Sequence, residues 1–251
     1  MKTMSLKDYG FSGYLENESS NHGVVIIMGG ESVGFIKVGK IMAKEFARHG
    51  FCALSISLFG VVGLPNCPNQ IPIEMAIKAV EYLKKRCDKV SLFGMSMGSV
   101  VALACSLHIQ VDNLVLMSPS HVSFEAVSKD KKTMLHHGFI TWNDEDIPYV
   151  CADFSKYKMY DAYVKAYSDK EKEKIAMAAL PISKVKARIL LLAGNKDTSW
   201  PSSYSASMLY NALEKENQGY AYKKIIYPKY GHMLPLKKNV RNEVYKWIEE
   251  M

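Results

Sequence analysis

Val90-Ser91-Leu92-Phe93-Gly94-Met95-Ser96-Met97-Gly98-Ser99-Val100-Val101-Ala102-Leu103-Ala104 decides how this chain folds. Val90 to Phe93 reads as a buried strand, and Met97 to about Leu107 as a helix of small residues. Between them stands Gly94-x-Ser96-x-Gly98. The pentapeptide alone occurs often by chance, and its context gives it weight. A serine held on a cramped strand-to-helix turn needs glycines two residues to either side, because side chains there would meet neighbouring backbone. Such a turn lifts the hydroxyl to the C-terminal edge of a sheet and sets the next backbone N–H at a helix N-terminus. Ser96 is therefore the candidate nucleophile.

Outward from this turn, short apolar runs alternate with helical patterns. Val24 to Met28, Cys52 to Ile56, Leu114 to Met117, Ile189 to Ala193 and Tyr222 to Tyr227 read as strands. Helices are predicted over Val38 to His49, from Pro72 to about Cys87, from Ser202 to about Glu216, and over Lys237 to Glu250. Pro72 is read as opening its helix at the first turn, where the missing N–H costs nothing. Near-continuous apolar strands separated by helices imply a mostly parallel sheet with helices on both faces. The fold class is α/β, of the α/β-hydrolase type, with residues 1–251 as one domain. The opening segment through Tyr9 to Tyr14 is expected to add an antiparallel hairpin at the sheet edge. Residues 120–186 break the alternation. They are polar, rich in tyrosine and without a strand pattern, and are expected to form a helical lid.

A nucleophilic serine needs a base and an orienting acid, which follow it in this fold in the order Ser, Asp, His. Asp197 lies just beyond the strand ending at Ala193, and His232 beyond the strand ending at Tyr227. Both fall at the sheet edge where open α/β proteins bind ligands. Asp153, Asp161 and Asp169 are alternative acids but lie inside the insertion, and Asp112 lies at the opposite edge. Two backbone N–H groups should receive an oxyanion. One is that of Met97; the other is expected from Gly30 in Met28-Gly29-Gly30-Glu31-Ser32, with Glu31 as the alternative donor. His121, Trp142, Trp200 and Glu31 are the expected pocket residues. The aromatics of the insertion serve equally well as packing.

Bulk properties narrow the function further. The chain has 251 residues and is 48% hydrophobic and 23% charged, as expected of an ordinary globular protein. No apolar run approaches the length of a bilayer span, so no membrane partner is expected. The first residues carry no apolar signal core, so a cytoplasmic location is expected. Five scattered cysteines lack the spacing of a disulfide framework or a zinc site, and neither a metal nor a cofactor is expected. The net charge of +7 is spread over several lysine clusters rather than one stripe. This argues against nucleic acid and suits an anionic small molecule. Oligomeric state has no sequence signal.

The chain resembles the catalytic domain shared by acyl-CoA thioesterases and bile acid-CoA:amino acid N-acyltransferase. The resemblance runs from about Gly23 onward through Gly29-Gly30, Arg48-His49-Gly50-Phe51-Cys52-Ala53-Leu54, Phe59-Gly60 and Gly63-Leu64-Pro65. It continues with Ile71-Pro72-Ile73-Glu74. Its most specific parts are Ala193-Gly194-Asn195-Lys196-Asp197, then Trp200-Pro201-Ser202-Ser203, and Tyr227-Pro228-Lys229-Tyr230-Gly231-His232. The family elbow usually continues with Lys and two glycines where this chain has Met97-Gly98-Ser99. The resemblance implies Ser96, Asp197 and His232 as nucleophile, acid and base, and an acyl thioester or ester as substrate. Amino-acid transfer in that family goes with a cysteine nucleophile, so Ser96 implies water as acceptor. The alternatives are a carboxylesterase or dienelactone-hydrolase-like enzyme on oxygen esters, and a hydrolase fold kept as a binding module.

Overall fold

Neighbouring residues of each apolar run face opposite sides of one sheet, which is why the runs are apolar throughout rather than alternating. The computed structural model describes residues 2–29, 33–128, 130, 133–168, 172–216 and 219–250, with backbone alone over 33–36. The first elements are β1 (Lys2–Met4), the single turn α1 (Leu6–Tyr9) and β2 (Ser12–Glu16). Then come β3 (His22–Ile27), α2 (Val33–Arg48) and β4 (Cys52–Ser57). After a loop follow β5 (Ile71–Pro72), α3 (Glu74–Lys84), β6 (Lys89–Met95), α4 (Met97–Ser106) and β7 (Asn113–Met117). The segment after β7 holds β8 (Glu125–Val127), β9 (Met134–Gly138), β10 (Ile140–Trp142) and β11 (Glu145–Asp146). Helices α5 (Met159–Ala166) and α6 (Lys172–Ala178) belong to the same segment. The last elements are β12 (Arg188–Gly194), α7 (Ser202–Lys215), β13 (Tyr222–Tyr227) and α8 (Lys238–Glu249).

The main sheet runs β1-β2-β4-β3-β6-β7-β12-β13. β2 is antiparallel to β1 and β4, and the pairings from β4 to β13 are parallel. Phe93 on β6 sits beside Ile26 on one neighbour and Val115 on the other. These three residues face α2 and α8, together with Phe46, Val244 and Ile248. Val25, Leu92 and Leu114 face the other way, onto α3, α4 and α7. Burying each such side chain contributes roughly 1.5–3 kcal/mol. Two filled layers thus fix both faces of the sheet.

Two expectations need correction. Pro72 does not open a helix; it lies in β5, and α3 begins at Glu74. The Ile71 N–H donates to Phe139 O at 2.8 Å and the Ile73 N–H to Thr141 O at 3.1 Å. Pro72 therefore occupies the position between two donors, where its missing N–H breaks no bond. Nor is the segment over 120–186 strandless. β8 and β9 pair with each other, while β10 pairs with β11 and, in parallel, with β5. Ile140 lies beside Ile71 in that pairing. Strands of two to five residues leave little periodicity to read, and the β5–β10 pairing joins segments far apart in sequence.

Candidate active site

The turn between β6 and α4 holds Ser96 at φ 56°, ψ −129°, a left-handed conformation that non-glycine residues seldom adopt. Its surroundings over-determine that conformation. The Ser96 N–H donates to Met117 O at 3.0 Å, and Ser96 O accepts from the Ser99 hydroxyl at 2.6 Å. A Cβ on Gly98 would stand 2.0 Å from Ile27 O, and one on Gly94 would stand 2.5 Å from Gly98 O. The helix start is thus pressed against the end of β3. The Met97 N–H belongs to the first turn of α4, where backbone donors lack intrahelical acceptors.

Ser96 Oγ lies 2.9 Å from His232 Nε2, and His232 Nδ1 lies 2.8 Å from Asp197 Oδ2. The three side chains come from the loops after β6, β12 and β13, which end at one edge of the sheet. The two later loops are tied together by the Lys196 N–H, which donates to Tyr230 O at 2.9 Å. Asp197 is buried, and its carboxylate accepts four donors. Oδ1 takes the backbone N–H groups of Ser199 at 2.9 Å and Trp200 at 3.3 Å. Oδ2 takes the Ser202 hydroxyl at 2.6 Å besides His232. A carboxylate so surrounded can neither rotate nor drift. Chemically, the series can take a proton from the serine hydroxyl while keeping the imidazole in one tautomer.

Residues 71–236 match the family model described as BAAT / acyl-CoA thioester hydrolase C terminal. This chain belongs to that family. Its curated relatives include human acyl-coenzyme A thioesterase 6, 22% identical over 76% of this chain and 45% of the relative. Another is mouse peroxisomal succinyl-coenzyme A thioesterase, 24% identical over 75% of this chain and 44% of the relative. The chain spans a little under half the length of these relatives. Among solved structures, an esterase of Pyrococcus furiosus superposes with a TM-score of 0.62 at 14% identity, covering 99% of this chain and 96% of that one. A carboxyl esterase of Bacillus coagulans gives 0.57 at 14% identity, covering 94% and 91%. These likenesses establish the α/β-hydrolase fold for this member of the BAAT / acyl-CoA thioester hydrolase family.

The pocket residues divide. Trp200 is buried against His232, with ring centroids 5.8 Å apart, and its indole N–H donates to Ser118 O at 3.0 Å. His121 is buried one layer back, its Nδ1 3.0 Å from Ser205 Oγ and its ring against Tyr167. Trp142 is elsewhere: it stacks on His108 at 3.9 Å, beyond the far end of α4 from Ser96. Gly30 and Glu31 lie outside the described residues, as does Asp169. The adjoining Gly29 packs against the elbow, where a Cβ would stand 2.3 Å from Gly98 N. Asp153 bonds Ser155 and Lys156 near the surface. The hollow beside the elbow is lined instead by Met97, Phe124, Phe154, Met159 and Tyr163.

Ser118 and Ser202 are the site residues that sequence reading passed over. The Ser118 hydroxyl donates to His232 O at 2.8 Å, fixing the loop that carries the imidazole. Ser118 also has a positive φ of 47°, and it immediately follows β7 at the same sheet edge. Ser202 stood in the Trp-Pro-Ser-Ser run, but the run does not say which serine turns toward the acid. Among the described residues no group of three His, Cys, Asp or Glu side chains is placed to hold a metal ion.

Proposed function

We propose that this chain hydrolyses acyl thioesters, with Ser96 as nucleophile, His232 as general base and Asp197 as the acid that orients it. The observation that carries this reading is the placement of His232, within hydrogen-bond reach of Ser96 through one ring nitrogen and of Asp197 through the other. The family to which the chain belongs and the thioesterase names of its curated relatives favour the thioester.

As Ser96 Oγ attacks the carbonyl carbon, its proton passes to His232 Nε2. Asp197 fixes the tautomer and stabilises the imidazolium. The carbonyl oxygen becomes an oxyanion facing the Met97 N–H, with Gly30 as the second donor. A donor of this kind is typically worth about 100- to 1000-fold in turnover, because it meets charge that develops only in the transition state. Collapse breaks the carbon–sulfur bond, and the thiol leaves with the proton from His232. Water then gives a proton to His232 and attacks the acyl-enzyme, releasing the carboxylic acid as Ser96 regains its proton.

Oxygen esters are the second reading, since the same steps cleave them and the solved relatives of this fold are named as esterases. Fluorophosphonate labelling tests the shared machinery. The protein is expected to label and Ser96→Ala to lose the label; equal labelling of both would overturn the assignment.

A further inference from the structure

The hollow beside Met97 is small, mostly apolar and walled by one buried carboxylate. The ring of Phe124 lies 5.6 Å from Trp200 and that of Tyr163 lies 5.2 Å from it, while Trp200 in turn touches His232. Met97, whose N–H faces the developing oxyanion in the reading above, contributes to the same wall. An acyl group attached to Ser96 with its oxygen toward the Met97 N–H therefore has this hollow next to its chain.

Two features limit what enters. The hollow leaves about 40 Å³ for the centres of water-sized groups. A water needs roughly 10–15 Å³ of such room, so the space suits a tail of about two to four carbons. The other feature is Glu125, which lines the hollow and is buried. Its Oε1 accepts the His136 N–H at 2.9 Å and lies 3.2 Å from the exposed His136 ring. A carboxylate held this way repels a second one brought into the same low-dielectric space.

Resting on the acyl-hydrolase reading, we propose that this hollow is an acyl-chain site for short, uncharged acyl groups, closed by Phe154 and Tyr163 and guarded by Glu125 against chains ending in a carboxylate. The occupant is fixed by position, since the hollow adjoins the elbow. Its chemistry is fixed by the apolar wall and the single negative group. A neutral four-carbon acyl group fits both conditions, a dicarboxylic one of the same length fails on charge, and an eight-carbon one fails on length.

The test is turnover of acetyl, butyryl, octanoyl and succinyl thioesters of coenzyme A by the full chain, with p-nitrophenyl esters of the neutral acids alongside and Ser96→Ala as blank. The expected kcat/KM is highest for acetyl or butyryl and at least tenfold lower for both octanoyl and succinyl. Glu125→Gln keeps an acceptor for the His136 N–H and is expected to raise the succinyl-to-butyryl ratio at least tenfold. Phe154→Ala is expected to move the preference toward octanoyl. Should Glu125→Gln fail to fold, the wild-type butyryl-to-succinyl ratio still decides the charge claim and Phe154→Ala the length claim. A wild-type preference for octanoyl, equal use of succinyl and butyryl, or an unmoved ratio in a folded Glu125→Gln would overturn this proposal while leaving the Ser96 chemistry standing. No Ser96-dependent turnover of any substrate would overturn both.

Discussion

Ser202 illustrates how a residue acts through another. Its hydroxyl shares Asp197 Oδ2 with His232, at 2.6 Å and 2.8 Å, in a fully buried position. Hydrogen bonds to a charged acceptor contribute about 1.5–3 kcal/mol, of which part reaches the transition state. Ser202→Ala is expected to lower kcat/KM about tenfold, equivalent to roughly 1.4 kcal/mol. Because the hydroxyl touches Asp197 and not the substrate, the loss should fall on kcat with KM little changed. That Ser96, Asp197 and His232 would meet at one sheet edge was legible from sequence, because each follows a recognisable strand. Ser202 and Ser118 were not, because a hydroxyl's partner depends on how separate loops meet.

At the scale of elements, the end of β3 and the start of α4 share one crowded contact. Gly98→Ala would put a methyl group 2.0 Å from Ile27 O, where only main-chain movement makes room. Overpacking of this kind typically costs about 1–3 kcal/mol. The movement also displaces the Met97 N–H from its aim. Urea unfolding should show that loss of stability, and probe labelling should fall well below the wild-type rate. The long sheet strands were readable to within two residues at either end, since most are apolar runs buried on both faces. The edge strand β13 is partly exposed and carries Lys223 and Lys224, and it was readable from Ile225, Ile226 and Tyr227. β5 and β8 to β11 were not, since each is only two to five residues long, and the β5–β10 pairing links Ile71 and Ile140, which no local pattern connects. The same blindness misplaced Pro72 at a helix start.

For the whole molecule, stability should depend on pH through His121. The ring is buried between Ser205 and Tyr167, and burial pushes its pKa from 6.5 down to about 4. The unfolded chain therefore takes up this proton more readily than the folded one. The contribution is fully present above pH 6.5 and drains away as pH falls from there to about 4. Between pH 8 and pH 5 it amounts to about 2 kcal/mol. Denaturant unfolding at the two values should show the difference, and His121→Gln should remove that portion of it. His121 also marks where sequence reading reached its limit. Its place after β7 suggested the pocket wall, but the packing of Tyr167 and α7 puts it a layer behind.

The strand order has a consequence for how the molecule comes off the ribosome. Domains emerge N-terminal end first, so the elbow is synthesised about a hundred residues before Asp197 and further still before His232. Until β12 and β13 have joined the sheet beyond β7, Ser96 stands apart from Asp197 and His232. In the proposed mechanism His232 is its base, and a serine hydroxyl without a base is a weak nucleophile. On that reading the nascent chain carries an inert alcohol through most of its synthesis, and reactivity arrives only when the last two strands dock.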